Sequence, residues 1–263
     1  MWEVYSIKYA ERGGRTRADS FLLDDRQNEP HDIDYFVWVL RKDDEIILVD
    51  TGYDNEEAAR RDRPVRRSPE LALAPLGITP DRVTTIICTH LHYDHAGGLH
   101  LFPNATVHLQ VAEMVYATGP CMCHGLLRMP FSKQHLSTVI DKLYSDKLVF
   151  HEGDDVIAEG VSVHRVGGHS RGLQVVRVHT ESGWLVLASD ASHFYENYLE
   201  NKVFPIVVDV EDALKSFSVI QSLASEKRLV VPGHDPLVNQ YFPSFKETFI
   251  RRLDKGPTEK CSI

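Results

Sequence analysis

The stretch Thr89-His90-Leu91-His92-Tyr93-Asp94-His95 decides how this chain is read. It places four metal-ligand side chains within the six residues His90 to His95, directly after the apolar run Val83–Cys88. Imidazole and carboxylate suit a borderline cation such as zinc. If the strand expected at Val83–Cys88 stays extended to His92, residues two apart face the same side, and His90 and His92 share one ion. Asp94 and His95 would then follow on a loop that turns with the freedom of Ala96-Gly97-Gly98, and would reach a second ion. The bland alternative is a histidine-rich surface loop that binds nothing in particular.

Three later segments repeat an apolar strand that ends in a ligand. Val161–Val166 runs into Gly167-Gly168-His169, Trp184–Ala188 into Ser189-Asp190, and Leu229–Val231 into Pro232-Gly233-His234. Strand ends hold side chains more rigidly than free loops, as a metal site requires. One Gly-His pair is more often a turn than a ligand, but three such ends add to the first motif.

These residues carry a resemblance. The chain resembles the metallo-β-lactamase superfamily, and within it the N-acyl homoserine lactonase-like hydrolases. The matching pieces are Asp50-Thr51-Gly52, His90 to His95, Gly168-His169-Ser170, Ser189-Asp190 and Gly233-His234, spread over about residues 35–235. The resemblance implies an α/β fold, a four-layer αββα sandwich in a single domain, with metals at one edge of two central sheets. It puts His90, His92 and His169 on one divalent ion and Asp94, His95 and His234 on a second. Asp190 bridges both, and Asp50 orients a ligand histidine and fixes its tautomer; a plain turn residue is the alternative for Asp50. Zinc is the default metal, although such donors also accept manganese, iron or cobalt. A homodimer is expected by resemblance alone.

The chemistry follows from two adjacent cations. A water between them loses its proton near neutral pH, and the hydroxide attacks an ester carbonyl while the metals stabilise the oxyanion and the leaving alkoxide. Asp94 is the candidate proton relay. One departure concerns the substrate. Homoserine-lactone hydrolases of this family commonly carry a tyrosine three positions after the bridging aspartate, where Asp190-Ala191-Ser192-His193-Phe194-Tyr195 has His193. An imidazole could donate the same hydrogen bond; Tyr195 or Tyr198 would substitute if the loop shifts. The family's Gly-His-Ser-x-Gly-His pattern also departs, with Leu173 after Gly172. The leading expectation is a hydrolase that opens a lactone, with the quorum signal N-acyl homoserine lactone as candidate. The alternatives are another ester or thioester in the manner of glyoxalase II, and a metal-stabilised binding protein without activity. The Asp190 bridge disfavours a β-lactamase, and His92 disfavours a redox di-iron enzyme, which usually has glutamate there.

Composition is consistent with this. The 263 residues are 43% hydrophobic, enough for one large core, so residues 1–263 are read as one hydrolase domain. The net charge of −9 argues against nucleic-acid binding. No apolar run is long enough to span a membrane and Met1–Tyr5 is not a secretory signal, so a cytoplasmic location is expected. Cys88, Cys121, Cys123 and Cys261 form no convincing disulfide framework. Strands are expected near Val4–Lys8, Tyr35–Leu40, Ile46–Val49, Val83–Cys88, Thr106–Leu109, Val161–Val166, Leu173–Val178, Trp184–Ala188 and Leu229–Val231. Helices are expected near Ser68–Leu76, Val111–Tyr116 and Val210–Ala224. A segment at about 117–144, holding Cys121 and Cys123, interrupts the rhythm. It reads as an insertion near the site mouth that forms a substrate wall, or equally as a surface excursion or dimer contact. The basic run Arg60–Arg67 is a solvated face, or else attracts an anionic substrate or a neighbouring subunit. The other histidines, including His31, His100, His108, His124, His135, His151, His164 and His179, receive no role.

Overall fold

Short runs of β-branched and aromatic residues supply the strands, as period-two burial favours. The computed structural model describes residues 1–261 and 263. In chain order the strands are β1 (Glu3–Arg12), β2 (Ile33–Lys42), β3 (Glu45–Val49), β4 (Thr85–Ile87), β5 (Thr106–Gln110), β6 (Leu148–His151), β7 (Asp155–Ala158), β8 (Val161–Arg165), β9 (Gln174–Thr180), β10 (Gly183–Ser189), β11 (Val230–Pro232), β12 (Ser244–Phe245) and β13 (Glu247–Arg252). They build two sheets, ordered β12-β13-β1-β2-β3-β4-β5-β6 and β11-β10-β9-β8-β7.

Strand β2 shows how the layers stack. Its Tyr35, Val37 and Val39 belong to one hydrophobic cluster, and its Phe36, Trp38 and Leu40 to another. The first sheet is therefore covered on both faces, by helices outside and by the second sheet inside. The helix Val210–Leu223 closes the far side of the second sheet with Ala213, Phe217 and Ile220. Its cap, where Asp209 accepts the Asp212 N–H at 3.1 Å, is worth about 1 kcal/mol. Burying Phe217 and Ile220 is worth about 1.5–3 kcal/mol each, so packing holds this helix more than its cap does. This is the layered αββα architecture expected. No helix among the described residues is long and apolar enough to cross a membrane.

Direction positions the site. Strands β3 to β6 pair in parallel. In the second sheet β10 is parallel to β11, and β8 and β10 are both antiparallel to β9, so β8, β10 and β11 run the same way. The C-terminal ends of β3, β4, β8, β10 and β11 lead into Asp50, His90–His95, His169, Asp190 and His234.

Several local expectations are corrected. Strand β4 is only three residues long, and Asp94 and His95 sit on a helical turn, Tyr93–Ala96, with His92 extended as its cap. Gly97 and Gly98 have ordinary backbone angles (φ −68° and −96°). They are needed for close approach instead. A Cβ on Gly98 would lie 2.4 Å from the Thr51 carbonyl oxygen, and one on Gly97 would lie 2.8 Å from the Gly52 carbonyl oxygen. Segment 117–144 is largely helical, with turns at Pro120–Cys123 and Gly125–Arg128 and a helix at Lys133–Tyr144. It is tied to the histidine motif by the Tyr93 N–H, which donates to the Pro130 carbonyl at 2.8 Å. Its Leu126, Met129 and Tyr144 side chains are exposed, as are Cys121 and Cys123, both free thiols.

Away from the site, His108 stacks on His151 with 2.9 Å between His108 Nδ1 and His151 Nε2. Burial, then the neighbouring imidazole, lowers His108 to about 4. Its folded pKa lies below the ordinary histidine value, so its unfolded form takes up protons first. Stability is thus expected to fall as pH drops from about 6.5 towards 4, and His108→Gln should flatten that limb of a urea-midpoint profile. An unchanged profile would remove His108 as a source.

Candidate metal centre

The strand ends bring seven side chains into one buried cluster. Ligand-type atoms of His90, His92, His169 and Asp190 lie within 4.8 Å of one another, and so do those of Asp94, His95 and His234. Asp190 stands between the two groups. Its Oδ2 lies 3.1 Å from His169 Nε2 and 3.7 Å from His90 Nε2, and its Oδ1 lies 3.0 Å from His234 Nε2 and 3.2 Å from His95 Nε2.

Three of the rings are aimed by their outer nitrogens. His95 Nδ1–H donates to Asp50 Oδ2 at 2.7 Å, His169 Nδ1–H to the Ile206 carbonyl at 2.7 Å, and His234 Nδ1–H to the Asp34 carbonyl at 2.8 Å. These bonds leave the Nε2 lone pairs directed at Asp190. Asp50 is fully buried and also accepts the Thr89 N–H (2.7 Å) and hydroxyl (2.8 Å). It occupies the place expected of a carboxylate that orients a histidine. His92 instead turns Nδ1 inward, 2.9 Å from His169 Nε2.

The donor set fits divalent cations. His90 Nε2, His95 Nε2 and Asp190 Oδ1 are buried without a hydrogen-bond partner. Buried polar atoms are seldom left so, and convergent imidazole and carboxylate lone pairs are what such an ion takes up. Burial pushes His90 and His92 well below the ordinary histidine range, with neighbouring imidazoles adding to it, and the neutral ring is the ligating form. Burial also acts to lower His95, but Asp190, Asp50 and Asp94 outweigh it and hold that ring well above its ordinary value. For Asp190, burial acts to raise the pKa, and His193, His95, His234 and His169 together bring it well below the usual carboxylate range.

His193 reaches the cluster and Tyr195 does not. His193 Nε2–H donates towards Asp190 Oδ2 at 3.0 Å, its Nδ1 is buried without a partner, and its ring lies flat on Phe204 at 3.5 Å. Burial pushes it down to about 3 despite Asp190. Tyr195 packs on Tyr198 and Tyr241 in the hydrophobic cluster of the second sheet, and neither it nor Tyr198 lines the cavity over the cluster. That cavity, of about 270 Å³, is lined by His92, Asp94, His169, Asp190, His193 and His234 on its floor, with Tyr35 and Phe204 on its walls. Pro130 of segment 117–144 joins the lining, and Phe131 meets the His92 ring edge-on at 4.7 Å.

Sequence reasoning missed Glu113. This fully buried carboxylate accepts the Leu91 N–H (2.9 Å), the Ser170 hydroxyl (2.5 Å) and the Gly172 N–H (2.9 Å). It thereby joins the loop of His90 and His92 to the loop of His169. Burial raises its pKa against those three donors. The available signal was an acid early in a helix of otherwise apolar character, Val111-Ala112-Glu113-Met114.

Comparison with known proteins agrees with this geometry. The model of the metallo-beta-lactamase superfamily matches residues 33–238. The N-acyl homoserine lactonase AttM of Azorhizobium caulinodans is 32% identical over 195 residues, 70% of each chain. An N-acyl homoserine lactonase of Bacillus cereus is 33% identical over 165 residues, 62% of this chain. The match spans 60% of that Bacillus relative's length. Among solved structures, an N-acyl homoserine lactone hydrolase with N-hexanoyl-L-homoserine bound at its catalytic metal centre superposes with a TM-score of 0.75. It is 25% identical, over 93% of this chain and 98% of that one. The dizinc quorum-quenching lactonase AidC has a TM-score of 0.73 at 16% identity, over 96% and 94% of the chains, a likeness of fold.

Proposed function

Because this chain belongs to the metallo-beta-lactamase superfamily, we propose that it is a metal-dependent hydrolase that opens a lactone ring, with N-acyl homoserine lactone the first substrate to test. The observation that carries this reading is the buried cluster in which Asp190 stands between two groups of imidazoles, with His90 Nε2, His95 Nε2 and Asp190 Oδ1 left without partners. In this reading His90, His92 and His169 would hold one divalent ion and Asp94, His95 and His234 a second, with Asp190 the carboxylate available to both groups and zinc the default metal. Bound there, such ions supply Lewis acidity, which lowers the pKa of water and draws charge from an ester carbonyl.

The chain's own residues do the rest. Asp50 and the Ile206 and Asp34 carbonyls keep the imidazoles in the ligating tautomer. His193 lines the cavity beside Asp190; its one N–H, on Nε2 and now pointing at Asp190 Oδ2, would turn to a substrate oxygen when an ion takes up that carboxylate, the part the family's tyrosine plays. Phe204 and Tyr35 wall the cavity and restrict water. Asp94 is the proton carrier. Its carboxylate lines the cavity, with Oδ2 3.8 Å from both His95 Nε2 and His234 Nε2. It takes a proton from the attacking water and returns it to the leaving alkoxide. Asp94→Asn, assayed at matched metal content, is expected to lower kcat by about 10²–10⁴-fold, the usual worth of general acid–base catalysis. Full turnover by that variant would remove the role.

The reading includes one hydrolase unit over residues 1–263, a cytoplasmic location, and a homodimer to be sought by sedimentation. The deciding experiment is proton release by zinc-loaded protein given N-acyl homoserine lactone, with Asp190→Ala as control. Turnover by the wild type alone supports a lactonase of quorum signals. No turnover by metal-replete protein sinks that substrate and moves the search to other lactones and thioesters.

A further inference from the structure

The cavity over the cluster is walled by three arginines, Arg12, Arg15 and Arg63. Arginine keeps its charge at any physiological pH, so each guanidinium needs an anion or water. Several nearby arginines have their anions. Arg17 pairs with Asp24 (2.5 Å) and Glu196 (2.6 Å), Arg66 with Glu11 (2.6 Å), and Arg60 and Arg61 with Glu57. Among the described residues, the three cavity arginines take part in no ion pair; every salt bridge on this side of the molecule involves another cation. The basic run is thus divided: most of it is neutralised on the surface, while Arg63 turns to the site and donates to the Tyr93 hydroxyl.

Arg15 is the informative member. It is only 6% exposed. Its Nη2 donates to the Asp19 carbonyl at 2.6 Å, and its Nη1 is buried with no partner. An unpaired buried cation is costly to keep unless something outside the chain completes it. Asp19 also lines the cavity; its Oδ2 accepts the Thr16 N–H (2.9 Å), and its charge acts on Arg15 without forming an ion pair with it. Arg15 lies near the reacting centre. Its guanidinium is 5.9 Å from the Phe204 ring, Phe204 lies on His193, and His193 reaches Asp190. A plain alkyl chain laid along this wall would strip water from the guanidiniums and return nothing.

We propose that this wall is an oxyanion subsite. The lactone or ester opened at the centre carries a carboxylate or phosphate on its substituent, and Arg15, with Arg12 and Arg63, receives it. The proposal rests on the hydrolase reading and sets the substrate class within it. Guanidinium binds either oxyanion through paired N–H donors, so the chemistry is shared and experiment separates the two.

Two measurements test it. The first is kcat/KM of zinc-loaded protein for γ-lactones whose side arm ends in a methyl, a carboxylate or a phosphate. Wild type is expected to favour one charged arm by at least about tenfold, the worth of one charge-assisted hydrogen bond. Arg15→Gln, and separately Arg12→Gln/Arg63→Gln at the rim, should collapse that ratio towards one. Whichever anion gains more identifies the source. Equal turnover of neutral and charged lactones overturns the subsite and leaves the hydrolase standing. The second measurement is calorimetric titration of metal-free protein with hexanoate and with butyl phosphate. It needs no turnover. Binding that weakens at least about tenfold in both arginine variants supports the subsite even if no lactone is opened, in which case the hydrolase reading alone has failed. Binding that is absent, or equal in wild type and variants, overturns the subsite. The rim variant guards against a folding defect in Arg15→Gln.

Discussion

Asp190→Ala is expected to lower lactone turnover by about 10³-fold, since the loss of a Lewis acid removes several kcal/mol of transition-state stabilisation at about 1.36 kcal/mol per decade. The reason is positional. Asp190 is the carboxylate within about hydrogen-bond distance of four imidazoles from different strand ends: His234 at 3.0 Å, His193 at 3.0 Å, His169 at 3.1 Å and His95 at 3.2 Å. Under the proposed two-ion reading, its loss would remove the negative charge that stands between the two imidazole groups. The variant should therefore bind fewer metal equivalents, read by elemental analysis. A second readout is independent of activity. Cations that bind only the folded chain raise its melting temperature, so a chelator should lower the wild-type value and shift the variant much less. A variant with full metal content and wild-type turnover would refute the assignment.

How much of this was legible in the sequence depends on locality. The motif from His90 to His95 and the ends at His169, Asp190 and His234 could be read because each follows its own apolar run. The parallel direction of β8, β10 and β11 then gathers those ends at one edge. What escaped depends on contacts between distant residues. Strand β7 carries the exposed Val156, and β12 and β13 make an edge hairpin around exposed Glu247, so none shows a buried period. The helical turn at Asp94 and His95 is one turn long and is set by packing on the loop of Thr51 and Gly52, beyond the reach of any propensity. Tyr195 was a reasonable candidate by spacing. However, the helix Tyr195–Glu200 begins there and carries its ring into the core, leaving His193 at the cavity. Arg15 lies in a polar N-terminal stretch with no regular pattern, and only the fold places it beside Phe204.

Glu113 is the most consequential residue of that hidden kind, and Glu113→Ala is expected to destabilise the fold by about 3–5 kcal/mol. Two backbone N–H groups, of Leu91 and Gly172, would be left buried without an acceptor, at about 1–3 kcal/mol each, and the Ser170 hydroxyl would lose its partner as well. Collapse cannot repair this. A Cβ on Gly172 would already stand 2.1 Å from the Glu113 backbone nitrogen, so the two segments are in contact and water has little room to enter. The same loss should reach the metal. Leu91 sits between His90 and His92, and Ser170 follows His169, so Glu113 sets the distance between three imidazoles that point at one place. Slackening such a support typically weakens metal binding about 10–100-fold, and chelator competition on folded variant at low temperature measures it. Glu113→Gln separates the two effects. Its amide oxygen can still accept one or two of the three bonds, so it should recover part of the urea midpoint. Its NH₂ would face a donor, so the loops stay misaligned and affinity should recover less than stability. If both variants lose stability while metal affinity stays at the wild-type value, Glu113 is a support of the core alone, and the alignment of the histidine loops must come from Asp50 and the strand ends.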